Sequence, residues 1–295
     1  MEFRQLNTFI TVAKLNNFTK AATFLGYSQS AVTSQIQLLE KELNVQLFER
    51  LGKSIFLTSE GEKFLVYAKQ IVKLCDEAKI TAATTDELKG TVTIGASESL
   101  CAVRLPRLFK EYHDRYPAVK MVLKMGNCNA SQTALRENQI DAAFVISRKF
   151  HIPEFITELE LPEPVVLLAF PGHPLTFKDF VHPKDIVEHT IILSQKGCSY
   201  RNIFEKRMED AGLTPKSIIE ADSIQAVKQL TISGLGITLL PRIAVEDELN
   251  RKQLIELNWG GPSFDLITQM LYHKDKWISP PLKAFIALTK EMLEH

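Results

Sequence analysis

The chain has 295 residues, of which 45% are hydrophobic and 24% charged, with 35 basic residues against 35 acidic ones. That length suits two or three domains, and the composition is that of a soluble globular protein. The formal net charge of +0 excludes a general electrostatic attraction to nucleic acid, so DNA binding, if present, must rest on local geometry.

No run of about eighteen apolar residues occurs, so neither a transmembrane helix nor a membrane partner is expected. The start, "MEFRQLNTFITVAKLNNF", lacks a signal-peptide core, and a cytoplasmic location is expected. The four cysteines, Cys75, Cys101, Cys128 and Cys198, form no CxxC and no metal-ligand spacing, so neither a zinc site nor a disulfide framework is indicated. No cofactor is expected.

In chain order, Phe3, Leu6, Phe9, Ile10 and Ala13 fall on one face of a helix over residues 3–15. Asn17 or Thr19 can cap a second helix, whose apolar side is Ala21, Ala22 and Leu25 and which Gly26 ends. Ser28 can cap a third, in which Val32, Ile36, Leu39 and Leu43 recur at helical spacing. Two helices joined by so short a turn form a helix-turn-helix. With Val32 and Ile36 turned to the first helix of the pair, Gln29, Ser30, Thr33, Ser34 and Gln35 remain on the outward early turns. In this motif the leading turns of the second helix meet base edges in the major groove. Gln suits adenine there, and hydroxyls adapt to several edges.

"LFERLGKSIFLTSEGEKFL" reads as a hairpin wing followed by a cap at Thr58 or Ser59. Arg50 and Lys53 stand on it where they can reach phosphates. From Ser59 to about Leu88 a long helix is expected. Phe64, Ala68, Ile71, Cys75, Ala78 and Ala82 form a heptad-like seam suited to dimerisation.

"ELKGTVTIGASESL" breaks this pattern and opens a β-branched strand. Strand-like and helix-like segments then alternate: "KMVLKM", a helix over 130–138, "DAAFVIS", "PVVLLAF", "TIILS", a helix over 200–211, "KSIIEA" and a helix over 224–233. This alternation argues an α/β domain with mostly parallel sheets. The proline-rich "ELPEPV" near its middle suggests two lobes with a ligand cleft between them.

"FITVAKLNNFTKAATFLGYSQSAVTSQIQLLEKELNVQLFER", followed by "LTSEGEKFL", resembles the amino-terminal block of the LysR-type transcriptional regulators. "LRENQIDAAFV" and "TISGLGITLLP" resemble their effector domain, so the likeness spans nearly the whole chain. Thr33 stands where Ser is usual, and Asn44 replaces Gly after Leu43; neither breaks the turn chemistry. The resemblance implies an all-helical winged helix-turn-helix domain over 1–58 and a linker/dimerisation helix over 59–88. It further implies a two-lobed α/β effector domain over 89–295, like periplasmic binding proteins, with lobe I at 91–161 and 268–295 and lobe II at 162–267. A homodimer or homotetramer on an inverted-repeat operator in double-stranded DNA, a small-molecule effector and contact with RNA polymerase are also implied. Matched onto this chain, Gln29, Thr33 and Ser34 are base readers, while Ser30, Gln35, Arg50 and Lys53 position the backbone.

An enzyme is not expected. "GASES" lacks the second glycine of a nucleophile elbow, and no HExxH occurs. Peroxide-sensing members of the family pair a cysteine in the "KGCSYR" loop with a later one, but no cysteine follows Cys198. The effector is expected to be a small anion. Ser97 and Ser99, then Asn127, Asn129 and Ser131, then Ser199 and Arg201, each sit at a strand-to-helix turn. Free N–H groups at such turns favour negative charge. Arg148, just past "DAAFVIS", adds a cation near the cleft mouth. In relatives these loops face the interlobe cleft.

Overall fold

A computed structural model of the chain describes residues 1–51, 54–82 and 88–294. It divides into two units, Met1–Asp86 with Glu137–Gln139, and Glu87–Arg136 with Ile140–His295.

The first unit opens with helices α1 (Phe3–Leu15), α2 (Phe18–Leu25) and α3 (Gln29–Leu43). Their starts and stops follow from side-chain chemistry. Asn17 accepts from the Lys20 backbone N–H to cap α2, and Ser28 accepts from that of Ala31 to cap α3. Replacing such a cap with Ala removes about 1 kcal/mol. Gly26 ends α2 at φ 70°, a left-handed conformation that costs glycine nothing. The recurring apolar positions Phe9, Val12, Ala21, Val32, Ile36 and Leu39 are all buried in one core.

Strands β1 (Phe48–Leu51) and β2 (Ser54–Leu57) pair antiparallel, with Phe48 opposite Leu57. Among the described residues, the other regular elements of this unit are helices. The Glu40 carboxylate accepts from the backbone N–H groups of Leu47 and Phe48 at 2.8 and 3.2 Å, fixing the wing to α3. Thr58 caps the next helix through the Gly61 N–H at 2.9 Å.

That helix, α4 (Ser59–Ala82), turns part of the expected seam toward its own unit. Ala68 is fully buried in the core just described, and Phe64, Leu65, Ile71 and Val72 pack against it. The Phe64 ring lies 5.2 Å from that of Phe9. The first half of the seam therefore belongs to its own unit. Among the described residues, the large apolar side chains left exposed on α4 are Tyr67 and Leu74.

The second unit holds two five-stranded sheets. The elements up to the middle of the chain are β3 (Gly90–Ala96), α5 (Glu98–Ala102), α6 (Leu105–Arg115), β4 (Val119–Met125), α7 (Cys128–Arg136), β5 (Ala142–Ser147), β6 (Phe155–Pro162) and β7 (Val165–Ala169). There follow α8 (Pro183–Ile186), β8 (Thr190–Leu193), α9 (Ser199–Asp210), β9 (Ser217–Glu220), α10 (Ile224–Ile232), β10 (Ile237–Pro241), α11 (Glu246–Asn250), β11 (Ile255–Leu257), β12 (Ile267–His273) and α12 (Pro280–Leu293). One sheet runs β4-β3-β5-β12-β6 and the other β11-β7-β10-β8-β9.

Both sheets are mixed rather than mostly parallel. β4, β3 and β5 are parallel neighbours, and so are β10, β8 and β9. β12 and β6 close the first sheet antiparallel, and β7 and β11 the second. The chain crosses between sheets at 163–164, within "ELPEPV", and again between β11 and β12. Val92, Ile94, Leu108, Phe144 and Phe285 are buried about the first sheet; Leu168, Ile191, Phe204, Val227 and Leu239 are buried about the second. The expected helix from Leu100 onward is broken into α5 and α6. α6 is held to α12 by the buried Tyr112 hydroxyl, which donates to the Pro281 carbonyl at 2.8 Å.

Candidate functional site

In the first unit the apolar stripe of α3 is buried while its opening turns stay open. Gln29, Ser30 and Ser34 are exposed, and Thr33 is half-buried. Gln29 Oε1 accepts from Thr19 Oγ1 at 3.1 Å, and the Ser28 and Ser30 hydroxyls are 3.0 Å apart. These are local bonds between exposed groups. Gln35 differs. Its Oε1 accepts from Thr8 Oγ1 at 2.6 Å, and Thr8 is fully buried. The backbone of Arg50 lies in β1 opposite Ile55. Its side chain, and all of Lys53, lie outside the described residues.

The second unit carries a cleft of ≈ 370 Å³ lined from four strand ends. Ser97, Glu98 and Ser99 follow β3, and Met125 ends β4 with Gly126 and Asn127 after it. Ser194, Gln195, Cys198 and Tyr200 follow β8, and Asp222, Ser223 and Ile224 follow β9. All four strands point their carboxyl ends here, the usual position for ligands in α/β sheets.

Ser99 is buried, with its Oγ 3.2 Å from that of Ser97. Asn127 Oδ1 accepts from the Ala130 N–H at 2.9 Å and caps α7. Its Nδ2 lies 3.0 Å from where a Cβ on Gly197 would stand, and Gly197 has φ +86°. Only glycine meets both conditions without strain. Tyr200 is buried, and burial followed by the adjacent Cys198 thiol pushes its phenol well up from the ordinary value.

Five of the expected effector residues, Asn129, Ser131, Arg148, Ser199 and Arg201, are not in the lining. α7 begins at Cys128 rather than near Ala130, so Asn129 lies inside the helix and is exposed on its outer side. Arg148 is exposed past β5, and Ser199 opens α9 without lining the cleft. Arg201 is buried and committed within its own half. Its Nη1 donates to the Ser194 carbonyl and to Glu220 Oε2, each at 2.6 Å, and its Nε to Glu205 at 2.8 Å. Burial works against its charge, but the hydrogen bonds to the two glutamates more than offset that. Arg201 braces the Ser194 backbone rather than facing a ligand.

Sequence reasoning missed Glu98, Asp222 and Ser223. The signal was available: "ADS" stands between an expected strand and an expected helix, as "SES" does. The lining holds the carboxylates of Glu98 and Asp222 and neither Lys nor Arg.

Residues 3–62 match the bacterial regulatory helix-turn-helix protein domain of the lysR family, and residues 85–294 match the LysR substrate binding domain. The chain belongs to the LysR family of transcriptional regulators. It is 41% identical to the HTH-type transcriptional regulator YwqM of Bacillus subtilis (strain 168), over 99% of each chain. It is 30% identical to the HTH-type regulator GltR of the same organism, over 97% of this chain and 95% of that one. Among solved structures, full-length OxyR from Pseudomonas aeruginosa superposes with a TM-score of 0.74 at 20% identity, covering 98% of this chain and 95% of that one. CbnR in complex with its target DNA gives 0.70 at 24% identity, covering 99% of each. At these identities the two structures establish the shared fold. This LysR-type protein is a DNA-binding regulator of transcription with an effector-binding domain. Among the described residues no helix is long and apolar enough to cross a membrane.

Proposed function

We propose that this regulator reads an inverted-repeat operator in double-stranded DNA with Gln29, Thr33 and Ser34, as a homodimer or homotetramer. Ser30, Arg50 and Lys53 position it on the sugar–phosphate backbone. The carrying observation is the division of α3 into a buried stripe of Val32, Ile36 and Leu39 and an exposed polar leading face. Gln35 belongs to the support of that helix. A small molecule in the cleft between the two sheets tunes the output to RNA polymerase. It does so only in so far as it binds one arrangement of the two halves better than another.

Footprinting tests the DNA reading. Gln29→Ala weakens cognate binding by about 1–3 kcal/mol and random DNA far less. Arg50→Ala weakens both alike, because phosphate contacts carry little base information. Equal losses on both DNAs for Gln29→Ala would remove it from the readers. The cleft reading is tested by Ser97→Trp, which fills the cavity. Operator binding persists, and its response to a screened set of metabolite carboxylates disappears; a retained response would place the effector elsewhere.

A further inference from the structure

Glu98 opens α5 on one side of the cleft, and Ser223 and Ile224 open α10 on the other. Glu98 Oε1 accepts from Ser223 Oγ at 3.1 Å, and Oε2 accepts from the Ile224 backbone N–H at 3.1 Å. Each carboxylate oxygen takes one donor. The start of α10, where the Ser223 side chain makes no cap of its own, is thus capped by a carboxylate from the opposite half. Opposite-sign pairing of this kind is what a helix amino terminus favours. It is also the arrangement an incoming carboxylate would need, in a cleft whose lining offers no Lys or Arg.

Resting on the reading of this cleft as the effector site, we propose that Ser223 Oγ and the Ile224 N–H are its carboxylate subsite. Glu98 fills that subsite in the effector-free protein as a tethered stand-in. An effector carboxylate displaces Glu98 and takes over its two donors. Binding is thereby coupled to breaking a direct link between the two halves, so occupancy changes how the halves are held. The apparent affinity is lowered by the fraction of molecules in which Glu98 keeps its place. Released Glu98 and Asp222 then leave two carboxylates beside the ligand with no cation in the lining. A second negative charge on the ligand is repelled, and the favoured class is a monocarboxylate.

The test uses acetate as the probe on the full chain, with succinate and chloride at equal ionic strength as controls. Melting temperature and direct titration are read for the parent, Glu98→Ala, and Glu98→Ala combined with Ser223→Ala. In Glu98→Ala, acetate raises the melting temperature by several degrees and binds about tenfold or more tightly than in the parent. Succinate does less, chloride nothing, and the double variant loses the gain. Glu98→Gln, which keeps the side-chain length without the charge, gives the same ordering with a smaller gain and stands in should Glu98→Ala fold poorly. Equal acetate responses in the parent and both Glu98 variants, or an undiminished response in the double variant, overturn the subsite. That failure is distinct from failure of the cleft reading, which shows as an effector response surviving Ser97→Trp.

Discussion

Thr8 in α1 donates its hydroxyl to the Gln35 side-chain oxygen in α3 at 2.6 Å, and Thr8 is fully buried. This bond ties the helix expected to enter the groove to the helix behind it. Removing the acceptor leaves a buried hydroxyl without its partner, which costs about 1–3 kcal/mol. Gln35→Ala therefore lowers the denaturation midpoint by that much and leaves the base preference of selected operators unchanged. Gln35→Glu, which keeps an acceptor, loses less stability. A shift in base preference in Gln35→Ala, with stability intact, would return Gln35 to the groove.

The same pair marks where sequence reasoning stops. Periodicity located α1, α2 and α3, and the caps at Asn17 and Ser28 and the stop at Gly26 were legible because each depends on neighbours within four residues. Gln35 was not legible, since its role is decided by Thr8, which lies 27 residues away. Arg201 was misplaced for a related reason. "GCSYRNIFE" marks the strand-to-helix turn, but Glu220, which holds the guanidinium, arrives from another strand. Glu98 was passed over because its partner is 126 residues distant. Antiparallel β12 also escaped the βα alternation, and with it the mixed character of the first sheet.

On α4 the two faces carry different expectations. Ile71 packs into the helix-turn-helix core, whereas Leu74 is 54% exposed. Ile71→Asp would bury a carboxylate among Phe64, Ala68 and their neighbours without a partner, so it unfolds the first unit. Leu74→Glu leaves that unit folded and weakens self-association if the outward face of Tyr67 and Leu74 meets a second copy. Circular dichroism and sedimentation separate the outcomes. An oligomer unchanged in Leu74→Glu would move the interface away from this face.

His173 supplies a pH dependence of known sign. Its ring is buried, its Nδ1 accepts from the Leu175 N–H at 3.2 Å, and the His189 ring lies 4.6 Å away. Burial first, and then His189, lowers its pKa below the ordinary 6.5. Between the lowered and the ordinary value the unfolded chain binds more protons than the folded one, so stability rises with pH there. The contribution is fully present above about 6.5 and is lost as pH falls through the folded value. Melting curves of the parent from pH 7.5 downward, set against His173→Gln, isolate it. The difference between the two proteins shrinks as the pH drops, and a difference constant with pH would mean that His173 does not titrate on unfolding.

Glu163 sits on the crossover between the two sheets and is buried. Its Oε2 accepts from Arg104 Nη2 at 3.0 Å and from Thr268 Oγ1 at 2.6 Å, while Oε1 has no hydrogen-bond partner among the described residues. Thr268 lies on β12, just after the chain crosses back to the first sheet. One carboxylate thus joins α6's approach, the outgoing crossover and the returning strand. Removing one member of a buried pair leaves the other charge uncompensated and costs about 3–5 kcal/mol; the partial exposure of the Arg104 side chain, 18%, puts the expected loss near the lower end. Glu163→Ala should therefore lower the stability of the second unit by about 3 kcal/mol. Glu163→Ala with Arg104→Leu should recover part of that loss, since the double change removes the stranded guanidinium. Denaturant unfolding of the single and double variants gives the coupling directly. Strictly additive losses would show that Arg104 and Glu163 stabilise the crossover independently, with the carboxylate held chiefly by Thr268.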